Sequence, residues 1–473
     1  MPDEEGQQKK AADDGTVTVD VAMTSFFSSS KLVTEALLLD GPTKWLMPCV
    51  PLAIICALLS LGDGFVFAFS LLALLPLAER LSFVTDCLAS HTNQTLAGLL
   101  NATFGNVPEL IVAMQAVSIR NGNVAQLSLL GSSMENAGLV FATALIVGGV
   151  RHHALKFNKA AAGIFMMCNL LGFMCIGYVS LLRLSNPEES VEITSRCVAL
   201  IMVVVYAITC IFQLRTHTEL FEDEEEGDEE EEEEEAPQLG LYSSLGALAV
   251  LTVFIAVLSD MLVSSLEPTA VNWGVGDLFL GIIVLPFVSN AAEHSSAIIF
   301  AWKGKMDVAI GIALGSAMQI ILFVYPVIIL FAWVVGYPLT LVSENIEVEA
   351  GLFIIATLSF MLVLGHPTLH YLHGVLLLGL YCLVAFGFTV QSTRQVAQSS
   401  FDTSVENPVD RSDTTLEPNL DNSTLSSNLL PFNLMGKFVT RVPAHIAGLS
   451  SGHGRNASHL RHFEALHALV PPM

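Results

Sequence analysis

Eleven apolar stretches recur along this chain of 473 residues, and they restrict its fold more than any other feature. They are 45–62, 64–82, 96–119, 124–149, 158–182, 196–214, 240–262, 276–301, 307–333, 347–365 and 369–390. A helix that crosses a bilayer needs about 20 mostly apolar residues. In lipid every backbone polar group must be paired internally, which makes each stretch a helix. The expected fold class is therefore all-α: a polytopic membrane protein with about 11 transmembrane helices. Only 14% of residues are charged, against roughly a quarter in soluble domains.

The net charge of −25 is unevenly spread, because residues 222–235 alone hold 13 acids. The total therefore says little about an acidic surface. No cleavable signal peptide is visible, since the first apolar run follows a polar, acidic leader at 1–44. The eight cysteines lie in or beside membrane runs without CxxC spacing and read as small apolar fillers. Trp45, Trp273, Trp302 and Trp333 fall near the ends of spans, where an amphipathic ring prefers the headgroup layer.

With the N-terminus in the cytosol, cytosolic segments up to the last span hold eleven Lys and Arg. The opposite short loops hold three, Arg120, Arg183 and Arg196. This fits the positive-inside bias. It places the acidic loop at 215–239 in the cytosol and the tail at 391–473 on the luminal side. That tail reads as polar and largely disordered, rich in Ser, Thr, Asn and Pro up to about residue 433. The sequons at Asn422 and Asn456 are open to glycosylation there, whereas those at Asn93 and Asn101 should be silent. The five histidines near its end read as solvated.

Two segments match at a constant offset of 184 residues. GNVPELIVA at 105–113 pairs with SNAAEHSSA at 289–297, so that Asn106 aligns with Asn290 and Glu109 with Glu293. The offset persists into the next span, where Gly131 and Ser132 align with Gly315 and Ser316. The expected organisation is a first helix at 45–62 and two five-helix repeats, 64–214 and 240–390. An odd number of crossings inverts the second repeat, and inverted repeats bring paired motifs together at mid-membrane.

Glu109 and Glu293 lie well inside spans, where a charge costs about 2.5–3.5 kcal/mol on insertion scales. No Lys or Arg in these spans faces them at depth. Their counter-charge must be protons or a bound cation. Ca²⁺ takes about six to eight oxygen ligands and tolerates irregular geometry. Asn106 and Asn290 stand three residues before each Glu, on the same helix face. Ser132, Ser316 and Gln319 add side-chain oxygens. Gly131 and Gly315 are expected to let helices approach closely. Pro108 and Pro286 are expected to break the helix near each motif and free carbonyl oxygens. Two carboxylates forced together repel, so protons and a divalent cation compete for them. Alternating access then makes an exchanger, and an acidic, vacuole-like store is its natural membrane.

These residues resemble the cation/proton exchanger family, the vacuolar Ca²⁺/H⁺ antiporters of the wider cation/Ca²⁺ exchanger superfamily. The resemblance covers about residues 40–390. It rests on NATFGNVPELIVA (101–113), SLLGS (128–132), GIIVLPFVSNAAEH (281–294), KMDVAIGIALGSAMQI (305–320) and the acidic run. It implies one helix plus two inverted five-helix repeats, with Glu109 and Glu293 at the ion site and Asn106, Asn290, Ser132, Ser316 and Gln319 in support. It implies no cofactor, with Ca²⁺ as transported substrate, and no enzymatic activity. Mn²⁺ and other divalents stay open as substrates. Ca²⁺, H⁺ and the lipid bilayer are the partners, with no nucleic acid; a homo-oligomer stays open.

The chain also departs from the family. Ser289 stands where Gly is usual, and Val107-Pro108 replaces Ala-Thr. Glu135 stands where Ser is usual and aligns with Gln319. It reads either as a third metal-binding acid or as a shielded or externally paired one. His294, about 100° around the helix from Glu293, reads as a proton relay or as a structural hydrogen-bonding residue. The acidic run, including Glu222, Asp223, Glu224, Asp228 and Glu235, reads as a regulatory cation-binding segment or as a solvated loop; it lacks EF-hand spacing. A Na⁺-coupled Ca²⁺ exchanger is the nearest alternative function, and a cation channel a more distant one.

Overall fold

The computed structural model describes residues 43–92, 103–221, 239–343 and 368–406, with isolated positions between these ranges. The described chain is helical, without a strand; Leu155 and Leu369 make an isolated bridge. The helices are α1 (Cys49–Leu58), α2 (Asp63–Ala89), α3 (Val107–Ser118), α4 (Gly122–His152), α5 (Lys159–Arg183), α6 (Glu188–Thr216), α7 (Leu241–Trp273), α8 (Leu280–Ser289), α9 (Ala291–Trp302), α10 (Met306–Val334) and α11 (Tyr371–Glu406). Among the described residues seven of them are long and apolar enough to cross a membrane, and α8 with α9 forms an eighth crossing when counted as one bent span.

Several boundaries differ from the sequence expectation. The first span, 45–62, is a short apolar helix, and the third, 96–119, is described as a complete helix only over α3. The tenth, 347–365, lies almost wholly outside the described residues. So do the leader, the acidic run 222–235, the four sequons and the tail beyond 406. The start of that tail is not irregular: α11 runs on as helix from the apolar span to Glu406.

Lipid shows in the pattern of exposure. On α6, Leu200, Ile201, Val204, Ile208 and Ile211 are each about half exposed, while Ala199, Met202 and Tyr206 are buried. Their spacing of three to four residues draws an apolar stripe along the outward face. Exposed to water, such a stripe would forfeit roughly 25 cal/mol for each Å²; it needs a hydrocarbon neighbour. In α4 by contrast 72% of the apolar window is buried, against 28% in α6. α4 is the central helix, which is why it can hold polar side chains.

The repeat persists in three dimensions. α3 and α9 are both 12 residues long and begin 184 positions apart, at 107 and 291. α4 and α10 begin at 122 and 306, the same interval. α2 and α7, the first long helices of each half, pack along one another. The arginines read as luminal converge on one end. Arg120 donates to the Gly336 carbonyl, Arg183 donates to that of Ser343, and Arg196 stacks on Trp333. Arg151 stacks on Trp302 at the other end.

The paired glycines are not equivalent. A Cβ on Gly131 would lie 2.3 Å from the Ile282 carbonyl oxygen and 2.7 Å from Pro286. Pro286 has no N–H to offer that carbonyl four residues back, and α4 presses its bare backbone against it. A Cβ on Gly315 would only reach Phe165 at 3.5 Å, an ordinary contact. The expectation that both glycines serve close approach therefore holds for Gly131 alone.

Candidate cation site

Both repeated motifs interrupt their helix at the asparagine. Asn290 separates α8 from α9, which are bent by 55°, and Asn106 precedes α3 after a turn at Gly105. Their backbones are alike, with φ/ψ of −111°/21° at Asn106 and −89°/10° at Asn290. This sparsely allowed region cannot continue a helix. The break therefore sits at Asn106 rather than at Pro108, which occupies the first turn of α3, where its missing N–H costs nothing. Glu109 and Glu293 fall in the first turn of the second half-helix. There, unpaired N–H groups and the positive end of the helix dipole favour a carboxylate.

Neither asparagine caps its own helix. Each reaches into the opposite half instead. Asn106 Nδ2 donates to Gln319 Oε1 at 2.6 Å, and Ser316 Oγ donates to Asn106 Oδ1 at 3.0 Å. Asn290 Nδ2 donates to Glu135 Oε2 at 3.1 Å and lies 3.3 Å from Ser132 Oγ. The two sets correspond residue by residue at the repeat offset, with Glu135 in the place of Gln319. Asn136 Nδ2 links them by donating to Ser316 Oγ at 3.3 Å. A π-helical turn follows each set, Asn136–Val140 after Glu135 and Ile320–Val324 after Gln319. Such turns recur at functional sites.

The structure thus brings together Glu109, Glu293, Asn106, Asn290, Ser132, Ser316, Gln319 and Glu135. Asn106, Asn290, Ser132, Glu109 and Glu135 are all at most 5% exposed. Glu109, Glu135 and Glu293 lie within electrostatic reach of one another. Both oxygens of Glu109, Oε1 of Glu135 and Oε2 of Glu293 are buried without a hydrogen-bond partner among the described residues. None of the three acids joins an ion pair there. A buried polar atom left unpaired costs about 1–3 kcal/mol, and more when charged. The arrangement therefore stores negative charge that asks for an external cation or protons. A cavity of ≈ 20 Å³ beside Glu109, lined also by Ser128, Ser132 and Ser289, holds about one water or one ion. Among the described residues no three of His, Cys, Asp and Glu close on one metal position. A cation placed here would need the amide and hydroxyl oxygens as well as the carboxylates.

His294 turns away from this ring. Its Nε2 pairs with Thr143 Oγ1 at 2.8 Å, and that hydroxyl also contacts the Leu139 carbonyl of its own helix at 2.9 Å. Thr143 and Asn136 were not singled out by sequence reading. The available signal was a polar residue inside an apolar run, which Asn136 gives and Thr143, free to bond its own turn, does not. Thr143→Val removes the imidazole's partner without touching the acids. It is expected to lower the transport rate several-fold with little change in cation KM; an equal loss through KM would place His294 among the cation's ligands.

Known proteins resemble this chain over most of its length. The family model described as sodium/calcium exchanger protein matches residues 64–215 and 243–390. Vacuolar cation/proton exchanger 1a of Oryza sativa subsp. japonica is 40% identical, over 73% of this chain and 79% of its own. The vacuolar calcium ion transporter of Schizosaccharomyces pombe is 36% identical, over 75% of this chain and 86% of its own. Among solved structures, native YfkE aligns with a TM-score of 0.63 at 26% identity, over 73% of this chain and 98% of its own. Its selenium-substituted form, a Ca²⁺/H⁺ antiporter protein, aligns with a TM-score of 0.59.

Proposed function

This chain belongs to the sodium/calcium exchanger protein family, on its cation/proton exchanger branch, and from that premise we infer that it is a secondary active transporter exchanging Ca²⁺ for H⁺. The observation that carries the reading is the set of buried, unpartnered carboxylate oxygens on Glu109, Glu135 and Glu293. Amide and hydroxyl oxygens surround them, and among the described residues no basic side chain neutralises them. Hard oxygen donors of this kind suit Ca²⁺.

Glu109 and Glu293 bind the cation, and Asn106, Asn290, Ser132, Ser316, Gln319 and Glu135 complete its shell. Protons and metal are alternative ways to neutralise the same carboxylates, so they exclude one another and cross in opposite directions. The two repeats, inverted relative to each other, present this site in turn to the two faces. The intervals between α3 and α9, and between α4 and α10, support that plan. The membrane is that of a vacuole or another acidic organelle, where low luminal pH drives Ca²⁺ in. The names of the vacuolar relatives support this location.

Reconstituted vesicles test the function. An inside-acid pH gradient in Na⁺-free medium is expected to drive labelled Ca²⁺ uptake. Uptake driven by a Na⁺ gradient and not by pH would replace H⁺ with Na⁺ as the coupling ion. Glu135 has its own test. Glu135→Gln keeps the acceptor for Asn290 but removes one charge, and is expected to raise the Ca²⁺ KM about tenfold, the scale of one charged contact. An unchanged KM would remove Glu135 from the shell.

A further inference from the structure

Past Gly336 the chain does not leave the protein. Residues 337–343 turn back inward beside α10, with Leu341 and Ser343 fully buried and Val342 3% exposed. Irregular backbone at membrane depth needs a partner for each polar group, and this segment has them at four successive carbonyls. Gln126 Nε2 of α4 donates to the Thr340 carbonyl at 2.6 Å and to that of Val342 at 3.2 Å. Tyr325 of α10 donates its hydroxyl to the Leu341 carbonyl at 2.9 Å. Arg183 at the end of α5 donates to the Ser343 carbonyl at 2.9 Å. Tyr325 stands nine residues before the end of α10, about 13 Å of helix, so the segment reaches well below the surface.

The start of the segment is equally fitted. Tyr337 Oη donates to the Arg120 carbonyl at 3.0 Å and accepts the Gly122 N–H at 3.2 Å. Gly122 leaves no room for a side chain: a Cβ there would lie 2.5 Å from Leu339 and 2.8 Å from Tyr337.

Two cavities border α4. One, of ≈ 580 Å³, opens on the end bearing Arg120 and Arg183, and Gln126, Thr340 and Val342 form part of its wall. The other is the ≈ 20 Å³ cavity beside Glu109, which Ser128 lines. Gln126 stands six residues before Ser132 on α4, and Tyr325 six residues after Gln319 on α10, about 9 Å of helix in each case. The segment they hold therefore lies on the Arg120 side of both ligand sets.

We propose that residues 337–343 are a plug that closes the cation site from the Arg120 face, and that Gln126 is the positioning residue that holds it. The proposal rests on the exchanger reading for its purpose but not for its geometry. Two carbonyls share one amide, and that of Val342 is held within the segment as well by the Thr340 hydroxyl at 2.9 Å, so a movement of Gln126 frees the segment from α4 and leaves its own turn intact. The plug is stable as a closed barrier and is opened by a shift of α4 against α10, the two helices that also hold the ligand sets.

Accessibility tests it. Ser128→Cys is introduced into the full-length protein with its native cysteines replaced, and the protein is reconstituted into vesicles. A membrane-impermeant cationic thiol reagent is then applied from the Arg120 face. With Gln126 intact, labelling is expected to be slow. Gln126→Leu, of similar size but without donors, is expected to speed it about tenfold, the scale of one or two net hydrogen bonds. Tyr325→Phe, a milder change on a different helix, is expected to act in the same direction. In transport, Gln126→Leu is expected to lower Ca²⁺ KM at the Arg120 face and to slow turnover, a split that general misfolding does not produce. Labelling as fast with the clamp intact as without it, or unaltered by both variants, overturns the proposal. The labelling needs no assumption about the ion carried, so its failure is separate from a failure of pH-driven Ca²⁺ uptake.

Discussion

Glu109→Gln and Glu293→Gln, made singly, are each expected to reduce pH-driven Ca²⁺ uptake to background. Each variant keeps the shape of the side chain and removes its charge. Glu109 and Glu293 are the pair that balances one divalent cation; with either neutralised the ion keeps the other and Glu135, whose Oε2 is already engaged by Asn290, and it is undercompensated in surroundings that exclude water. Breaking a buried charge pair by removing one partner costs about 3–5 kcal/mol, and 1.4 kcal/mol is tenfold in affinity. Binding therefore falls at least a hundredfold. The variants should still fold, because Gln has the shape of Glu and none of the three acids joins an ion pair among the described residues that the change would break. Initial rates of labelled Ca²⁺ uptake, normalised to protein that elutes as the wild type does, measure the loss. Near-normal uptake by either variant would remove that glutamate from the site.

Gly131→Ala is expected to abolish transport and to lower the yield of folded protein, whereas Gly315→Ala is expected to leave both near wild type. The two positions are equivalent in the repeat, and sequence alone predicts equal effects. Their surroundings decide otherwise. The methyl group on residue 131 would meet the backbone carbonyl of Ile282 at 2.3 Å and Pro286 at 2.7 Å. A carbonyl cannot rotate aside as a flexible side chain can, so α4 and α8 must separate. That separation carries Ser132 away from Asn290, now 3.3 Å apart, and opens the ring. Overpacking of a tight interior costs about 1–3 kcal/mol, occasionally more. At residue 315 the new methyl meets Phe165 at van der Waals distance. Uptake and thermal stability of the two variants, measured side by side, check the contrast. Tolerance at 131 would mean that α4 and α8 do not approach as closely as described; damage at 315 would mean that Phe165 leaves no room for a methyl group.

Much of the site was legible beforehand for a simple reason. A charged or amide side chain in an apolar run has to be justified by function or by a partner, and the justification here repeats at 184 residues. Glu109, Glu293, Asn106 and Asn290 follow from that alone. The helix break was legible as an event but not in its place. Proline drew attention to residue 108, while the backbone turns at Asn106, because a proline in the first helical turn disturbs nothing. Glu135 was visible as a departure from a related family, but its bond to Asn290 was not.

The plug was not legible at all. Residues 337–343 read as an ordinary loop after a span, since their polar needs are met by Gln126, Tyr325 and Arg183, which lie as far as 216 positions away. The π-helical turns after Glu135 and Gln319 were equally invisible. One is followed by Pro326 and the other has no proline, so no shared local residue announces them.

From its sequence alone this chain was committed to lipid as its solvent, to helices as its elements, to a duplicated plan and to acids without basic partners. These follow from residue type and spacing, which act over one or two helical turns. Tertiary structure alone decided that each asparagine serves the opposite repeat, that one glycine of a matched pair meets a backbone carbonyl while the other does not, and that a returning segment packs back inside one end. Those outcomes depend on which surfaces meet when helices far apart in the chain pack together, and local hydropathy is the same whichever neighbour a helix acquires.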